Sequence, residues 1–112
     1  MDKPILSIVV PTKNRYETLS VLVDALMKWK SHDFELVVQD NSDDSTPWEE
    51  IAGQHGQDSR LVYSYYKGDI SAPENCDLAL KRVSGEYVCI LGDDDGITEK
   101  TIFINPFYKL FA

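Results

Sequence analysis

Short apolar runs alternate along this chain with longer stretches in which apolar residues return every three or four positions. The first run, over 5–10, is rich in β-branched residues, ends at Pro11 and predicts a buried strand. Next, Leu19, Leu22, Val23, Leu26 and Trp29 or Lys30 follow i, i+3, i+4, i+7 spacing, which predicts a helix over 15–29 with one apolar face. Asn14 and Glu17 have the spacing of a capping box at its start, and Ser31-His32-Asp33 breaks it. A second apolar run over 34–39 predicts a second strand, leaving into the polar turn formers of 40–45. Thr46-Pro47-Trp48-Glu49 then starts a short helix that ends between Gly53 and Gly56.

The aromatic run over 61–66 predicts a third strand, less buried than the first two because Ser64 interrupts its tyrosines. Ser71-Ala72-Pro73-Glu74 has a capping-box pattern, and Cys76, Ala79, Leu80 and Val83 mark one face of a helix that Ser84-Gly85 stops. A run over 87–91 follows, bounded by glycine, and predicts a strand buried on both faces. Residues 97–100 form another helix start. The aromatic stretch over 103–111, interrupted by Pro106, is expected to pack on this domain, a second copy or a further part of the protein. Strand–helix alternation of this kind implies an α/β fold: a Rossmann-like parallel sheet with helices on both faces.

The chemistry gathers behind the fourth strand, in Gly92-Asp93-Asp94-Asp95-Gly96. Three adjacent carboxylates cannot continue a strand into a core, because buried unpaired charge is too costly. They therefore belong at the strand's carboxyl end, the edge where open α/β sheets bind ligands. Parallel strands place the loops after strands one, two and four on that same edge. Thr12, Lys13, Asn14 and Arg15 are thus expected beside Asp40, Asn41, Asp43 and Asp44, and beside the Asp triplet. Like charges at ~4 Å and an effective dielectric of ~20 repel by ~4 kcal/mol per pair. A hard divalent cation would relieve them, and a phosphorylated ligand could share it. The competing reading is ordinary: Asp-rich loops are common solvated turns, Lys13 and Arg15 could be plain surface charges, and Asn14 a helix cap.

Composition narrows the field. The chain of 112 residues is 43% hydrophobic, enough for one domain with a core. A net charge of −8 argues against nucleic-acid partners. No stretch has the length of a membrane-spanning helix, and the first residues run directly into a strand, so no signal peptide is expected. Cys76 and Cys89 fall on apolar positions and suit buried free thiols in a cytoplasmic setting, while His32 and His55 lie in polar stretches and suit the surface. There is no dinucleotide fingerprint, P-loop, EF-hand spacing or nucleophile elbow.

In sequence order, residues 7–15, 35–42, Asn75 with Ala79 and 85–88, and 91–95 together resemble the nucleotide-binding half of family 2 glycosyltransferases, up to about Thr98. That family has the A-type glycosyltransferase fold, and Asp93-Asp94-Asp95 matches its Asp-x-Asp motif. The resemblance implies a metal-dependent, inverting glycosyltransferase of polysaccharide biosynthesis, using a UDP-sugar and Mg2+ or Mn2+. Pro11, Thr12 and Lys13 would line the base pocket, with Asn14 and Arg15 completing the nucleotide site. Asp40 would meet the uracil imide, Asp94 would lie near the ribose and sugar, and Asp95, with Asp93, would hold the metal. Gln39 stands where many relatives carry a further Asp. The catalytic base and the acceptor half, for a glycan or lipid-linked glycan, are expected beyond residue 112, so this chain would be an inactive donor-binding fragment. The full-length protein would be cytoplasmic and peripheral to the membrane, with homodimerisation left open. Two other classes stay open: a non-catalytic nucleotide- or metal-binding module of the same fold, and a nucleotidyltransferase-like enzyme.

Overall fold

A computed structural model describes residues 3–96. The expected helix start at 97–100 and the aromatic stretch at 103–111 lie outside the described residues. Four strands and three helices alternate: β1 (Leu6–Thr12), α1 (Tyr16–Met27), β2 (Phe34–Asp40), α2 (Trp48–His55), β3 (Leu61–Tyr65), α3 (Ala72–Leu80) and β4 (Tyr87–Ile90). The strands form one parallel sheet in the order β3-β2-β1-β4.

Alternation along β1 and β2 sorts the core into two layers. Leu6, Ile8 and Val10, with Phe34, Leu36 and Val38, pack against Leu19, Leu22, Val23 and Leu26 of α1 and Trp48 and Ile51 of α2. The opposite faces of the same strands send Val9 and Val37 to Ala79 of α3 and Val88 of β4. Helices therefore cover both faces, as the element order implies. All seven residues of β2 are buried, and those of β3 are half-buried.

Several sequence expectations are corrected here. The run at 87–91 is not a strand buried on both faces: β4 pairs only with β1 among the described residues, and Ile90 is 45% exposed. Nor is α1 opened by a capping box. Its N-cap is Arg15, whose side chain makes no capping hydrogen bond, and Asn14 stands in the left-handed region (φ 55°) with its amide engaged elsewhere. Asn tolerates that conformation because its short amide can hydrogen-bond locally. In α3, by contrast, the capping box is complete: Ser71 Oγ accepts from Glu74 N–H (3.2 Å), and Glu74 Oε1 accepts from Ser71 N–H (3.0 Å). The backbone N–H of Ser71 is the main reason the Glu74 carboxyl sits below its usual range. α3 ends at Leu80, ahead of Val83 and the Ser84-Gly85 stop. The start of α2 is shaped by Asp44, whose Oδ1 accepts from both the N–H and hydroxyl of Thr46. Those two bonds hold the Asp44 carboxyl below its usual range. His55 is not a plain surface residue; its ring faces Asp24 of α1 at 2.5 Å. Cys76 and Cys89 are free and only partly buried, and desolvation raises both thiols.

At the amino edge of the sheet, Glu35 is buried with no basic partner among the described residues. Its oxygens accept from Ser7 Oγ (2.6 Å), Ser84 N–H (2.7 Å) and Ser84 Oγ (3.0 Å), and Ser7 Oγ accepts from Gly85 N–H (2.8 Å). Gly85 lies against β1: an added Cβ would stand 2.7 Å from Ser7 N and 3.0 Å from the Leu6 carbonyl carbon. Those are backbone atoms that cannot rotate away. Gly85→Ala is therefore expected to lower stability by about 1–3 kcal/mol, the usual cost of overpacking, read as a fall in the urea midpoint. A midpoint within error of the parent would show that β4 can move off β1 at no cost.

Candidate functional site

β1 and β2 end in register, Thr12 opposite Asp40, so their exit loops leave the sheet side by side. Asn75, at the first turn of α3, ties the two ends together: its amide Nδ2 donates to the carbonyls of Gln39 (3.2 Å) and Thr12 (3.4 Å). Asn41 reaches the other way, donating to the carbonyls of Tyr66 (2.9 Å) and Gly68 (2.8 Å), and so fixes the loop between β3 and α3. Between these loops opens a cleft of about 440 Å3, with Pro11, Thr12, Lys13 and Arg15 on one side, Asn41, Ile70 and Asn75 on another, and Asp93 and Asp94 on a third. The edge expected from the topology does form, and it is lined by both signs of charge.

Asp40 does not face this cleft as an open acceptor. It has no exposed surface. Oδ1 accepts from Ser42 N–H (2.9 Å) and Ser42 Oγ (2.6 Å); Oδ2 accepts from the phenols of Tyr16 and Tyr63, the latter at 2.7 Å. Burial, reinforced by the hydrogen bond to Asp40, pushes the Tyr16 phenol up to about 12. The same causes raise Tyr63 further. Trp48 stacks on the Tyr63 ring at 3.9 Å, holding that phenol in place.

Asn14 clips the first two loops. Its backbone N–H donates to Ser42 Oγ (2.7 Å), its side-chain Nδ2 donates to Asp43 Oδ2 (3.2 Å), and its side-chain Oδ1 accepts from Asp43 N–H (3.0 Å). The third loop is joined to the first by Thr12, whose hydroxyl donates to Asp93 Oδ2 (2.8 Å). Arg15 also meets it, with Nε 3.3 Å from Asp93 Oδ1 and Nη2 3.3 Å from Asp94 Oδ2. Within the triplet, Gly92 and Asp95 close a tight turn through Asp95 N–H to Gly92 O (3.0 Å) and Gly92 N–H to Asp95 Oδ2 (3.1 Å). Lys13 is exposed at the cleft mouth.

The anticipated crowd of carboxylates is thus dispersed. Asp40, Asp43, Asp44, Asp93, Asp94 and Asp95 each meet donors of their own, and among the described residues no three His, Cys, Asp or Glu side chains converge to hold a metal. The partners are hydroxyls, amide groups and the Arg15 guanidinium. Mg2+ commonly takes only one or two carboxylates, completed by water and substrate phosphates. Asp93 at the cleft and Asp95 in the turn that follows it offer hard oxygens of the kind a metal shared with a phosphorylated ligand takes, and no all-protein cage forms among the described residues. The residues that sequence reasoning passed over are Tyr16, Tyr63 and Ser42, the donors around Asp40, and Asn75 as a clamp. Asn75 was visible as a polar residue four positions before Ala79, on the inward face of α3.

Comparison with known proteins gives a consistent picture. The family model described as Glycosyl transferase family 2 matches residues 7–109. The Escherichia coli UDP-Glc:alpha-D-GlcNAc-diphosphoundecaprenol beta-1,3-glucosyltransferase WfgD is 30% identical over 96 residues, 85% of this chain and 37% of that protein. The crystal structure of S. aureus TarS 1-349 superposes with a TM-score of 0.74 at 28% identity, over 88% of this chain and 30% of that one. A structure of the same TarS region holds UDP-GlcNAc, with a TM-score of 0.67, 27% identity, and coverage of 88% of this chain and 29% of that one. A mannosyltransferase from Pyrobaculum calidifontis, in complex with GDP-Man and Mn2+, shares the fold at a TM-score of 0.70 and 20% identity, over 95% of this chain and 34% of that one. The chain spans about a third of the length of the curated relatives it matches.

The phenols around Asp40 make stability sensitive to alkali. An unfolded tyrosine ionises near ~10, whereas Tyr16 and Tyr63 keep their protons to higher pH. Above pH ~10 the unfolded chain therefore binds fewer protons than the folded one, and stability must fall as pH rises toward about 12. Absorbance titration should show these two of the six tyrosines ionising only as the fold is lost. Tyr16→Phe should flatten the alkaline decline while costing about 1–3 kcal/mol at neutral pH through the lost bond to Asp40. Ionisation of all six near pH 10 with the far-UV signal intact would contradict the buried arrangement.

Proposed function

The chain belongs to glycosyl transferase family 2, and we propose that its strand-end cleft holds the nucleoside diphosphate of a UDP-sugar whose sugar passes to an acceptor hydroxyl. The observation that carries this reading is the cleft itself, about 440 Å3, lined by Lys13 and by Arg15, which is paired with Asp93 and Asp94 at 3.3 Å. A diphosphate held beside carboxylates needs positive charge between them, and this cleft combines basic side chains with hard oxygens.

The residues divide the donor between them. Pro11, Thr12 and Lys13 line the base end. A uracil imide meets Asp40 by replacing one of the hydroxyl donors now around it, while Asn14 holds the loop over it. Lys13 and Arg15 take the phosphates, and Asp94 lies near the ribose and sugar. Asp93 and Asp95 are the protein's ligands for Mg2+ or Mn2+. When bound, that ion neutralises charge developing on the leaving diphosphate. The acceptor hydroxyl attacks the anomeric carbon with inversion, and a general base removes its proton. No residue of this chain is assigned as that base; residues 1–112 serve the donor. A lipid-linked glycan is the acceptor class suggested by the names of the curated relatives. Among the described residues no helix is long and apolar enough to cross a membrane.

Calorimetric titration with UDP tests the reading. Binding in Mn2+ that falls at least tenfold in EDTA, and again in Asp95→Ala, is the expected result. UDP affinity unchanged by EDTA and by the substitution would remove the metal from the site.

A further inference from the structure

The cleft already contains a cation of its own. The Arg15 guanidinium spans from the loop after β1 to the loop after β4, meeting Asp93 through Nε and Asp94 through Nη2, each at 3.3 Å. Its side chain is 50% exposed, as is 57% of Asp94, whereas Asp93 is only 7% exposed. The second oxygen of Asp93 is occupied by the Thr12 hydroxyl. Arg15 is therefore the residue that neutralises the first two acids of the triplet, and it does so from a different loop. Separations of 3.3 Å exceed the usual 2.7–2.9 Å of a charge-assisted hydrogen bond, and half-exposed ion pairs are weak. Such a contact holds geometry and gives way easily.

From this we infer that Arg15 is an exchangeable counter-cation, holding Asp93 and Asp94 while the cleft is empty and passing to the donor diphosphate when a divalent cation takes Asp93, the carboxylate the two cations have in common. The inference rests on the donor site proposed above. A guanidinium and a divalent cation cannot share the same oxygens without repelling each other. A diphosphate removes the conflict, because it offers the planar guanidinium a bidentate anionic partner. Metal without nucleotide must displace Arg15 into water, whereas metal with nucleotide releases it to a better partner. Each ligand then strengthens the other, and by linkage the coupling is the same in both directions.

The test is Mn2+ affinity, read by the loss of the free-ion EPR signal, for the parent chain, Arg15→Gln and Arg15→Lys, each with and without saturating UDP. Without UDP, Arg15→Gln should bind Mn2+ about fivefold to tenfold more tightly, because a competing charge is gone. With UDP the advantage should vanish or reverse, and UDP affinity in Mn2+ should fall about tenfold for loss of the phosphate contact. Arg15→Lys should lie between, keeping charge but losing the fork. Circular dichroism confirms that the variants fold. If the parent binds UDP in a Mn2+-dependent way but Arg15→Gln has parental Mn2+ affinity without UDP, the exchange is wrong and the donor site stands. If the parent binds UDP equally well with and without Mn2+, the metal and the exchange fall while the nucleotide site stands, and if it binds no UDP at all, the donor site and the exchange fall together.

Discussion

A carboxylate without solvent is the constraint around which the site end of this protein is built. Asp40 closes β2 at the point where the chain leaves the core, and its charge has no access to water. An uncompensated buried carboxylate would neutralise itself or unfold its surroundings. Here four hydrogen bonds meet it, two from Ser42 and one each from Tyr16 and Tyr63. Those donors come from the loop after β2, the first residue of α1, and β3. Satisfying one side chain thereby sets where α1 begins, how β3 lies against β2, and how tightly the acidic loop folds back.

From that point order spreads outward by hydrogen bonds rather than by packing. Ser42 also accepts from the backbone of Asn14, and its carbonyl accepts from the Tyr65 phenol at 2.8 Å. Asn14 in turn joins Asp43, and Thr12 joins Asp93. The cleft wall is thus a chain of polar links between loops. Such an arrangement suits a ligand carrying several charges, since each loop can exchange one partner for another without opening the core.

Much of the fold was legible in the apolar pattern, because buried parallel strands and amphipathic helices leave different periods. β1, β2 and the capping box of α3 were readable for that reason. The burial of β4 was not: the run at 87–91 reports residue type, and says nothing of how many strands flank it. Asn14 misled because capping grammar is local, while its partners lie 28 and 29 positions away. The site edge followed from topology and the placement of acids at strand ends. What the acids do to one another did not, since the donors that separate them, Tyr16, Tyr63 and Arg15, stand in other elements. A question about which groups satisfy Asp40 would have led to the tyrosines earlier than any motif.

The two ties between β1 and the segment around β4 have a consequence for the order in which the molecule assembles. Ser7 to Gly85 spans 78 positions and Thr12 to Asp93 spans 81, whereas Ser7 to Glu35 spans only 28. Closing a longer loop costs more chain entropy before any contact repays it. β1 and β2 can therefore meet first, with the Glu35 and Asp40 carboxylates already at opposite ends of the pair. The Asp triplet is delivered last, when β4 docks. A nascent or partly unfolded chain would hold the β1–β2 side of the cleft without the Asp triplet. Competence for any ligand of the cleft would then report completion of the whole sheet, not merely the presence of its centre.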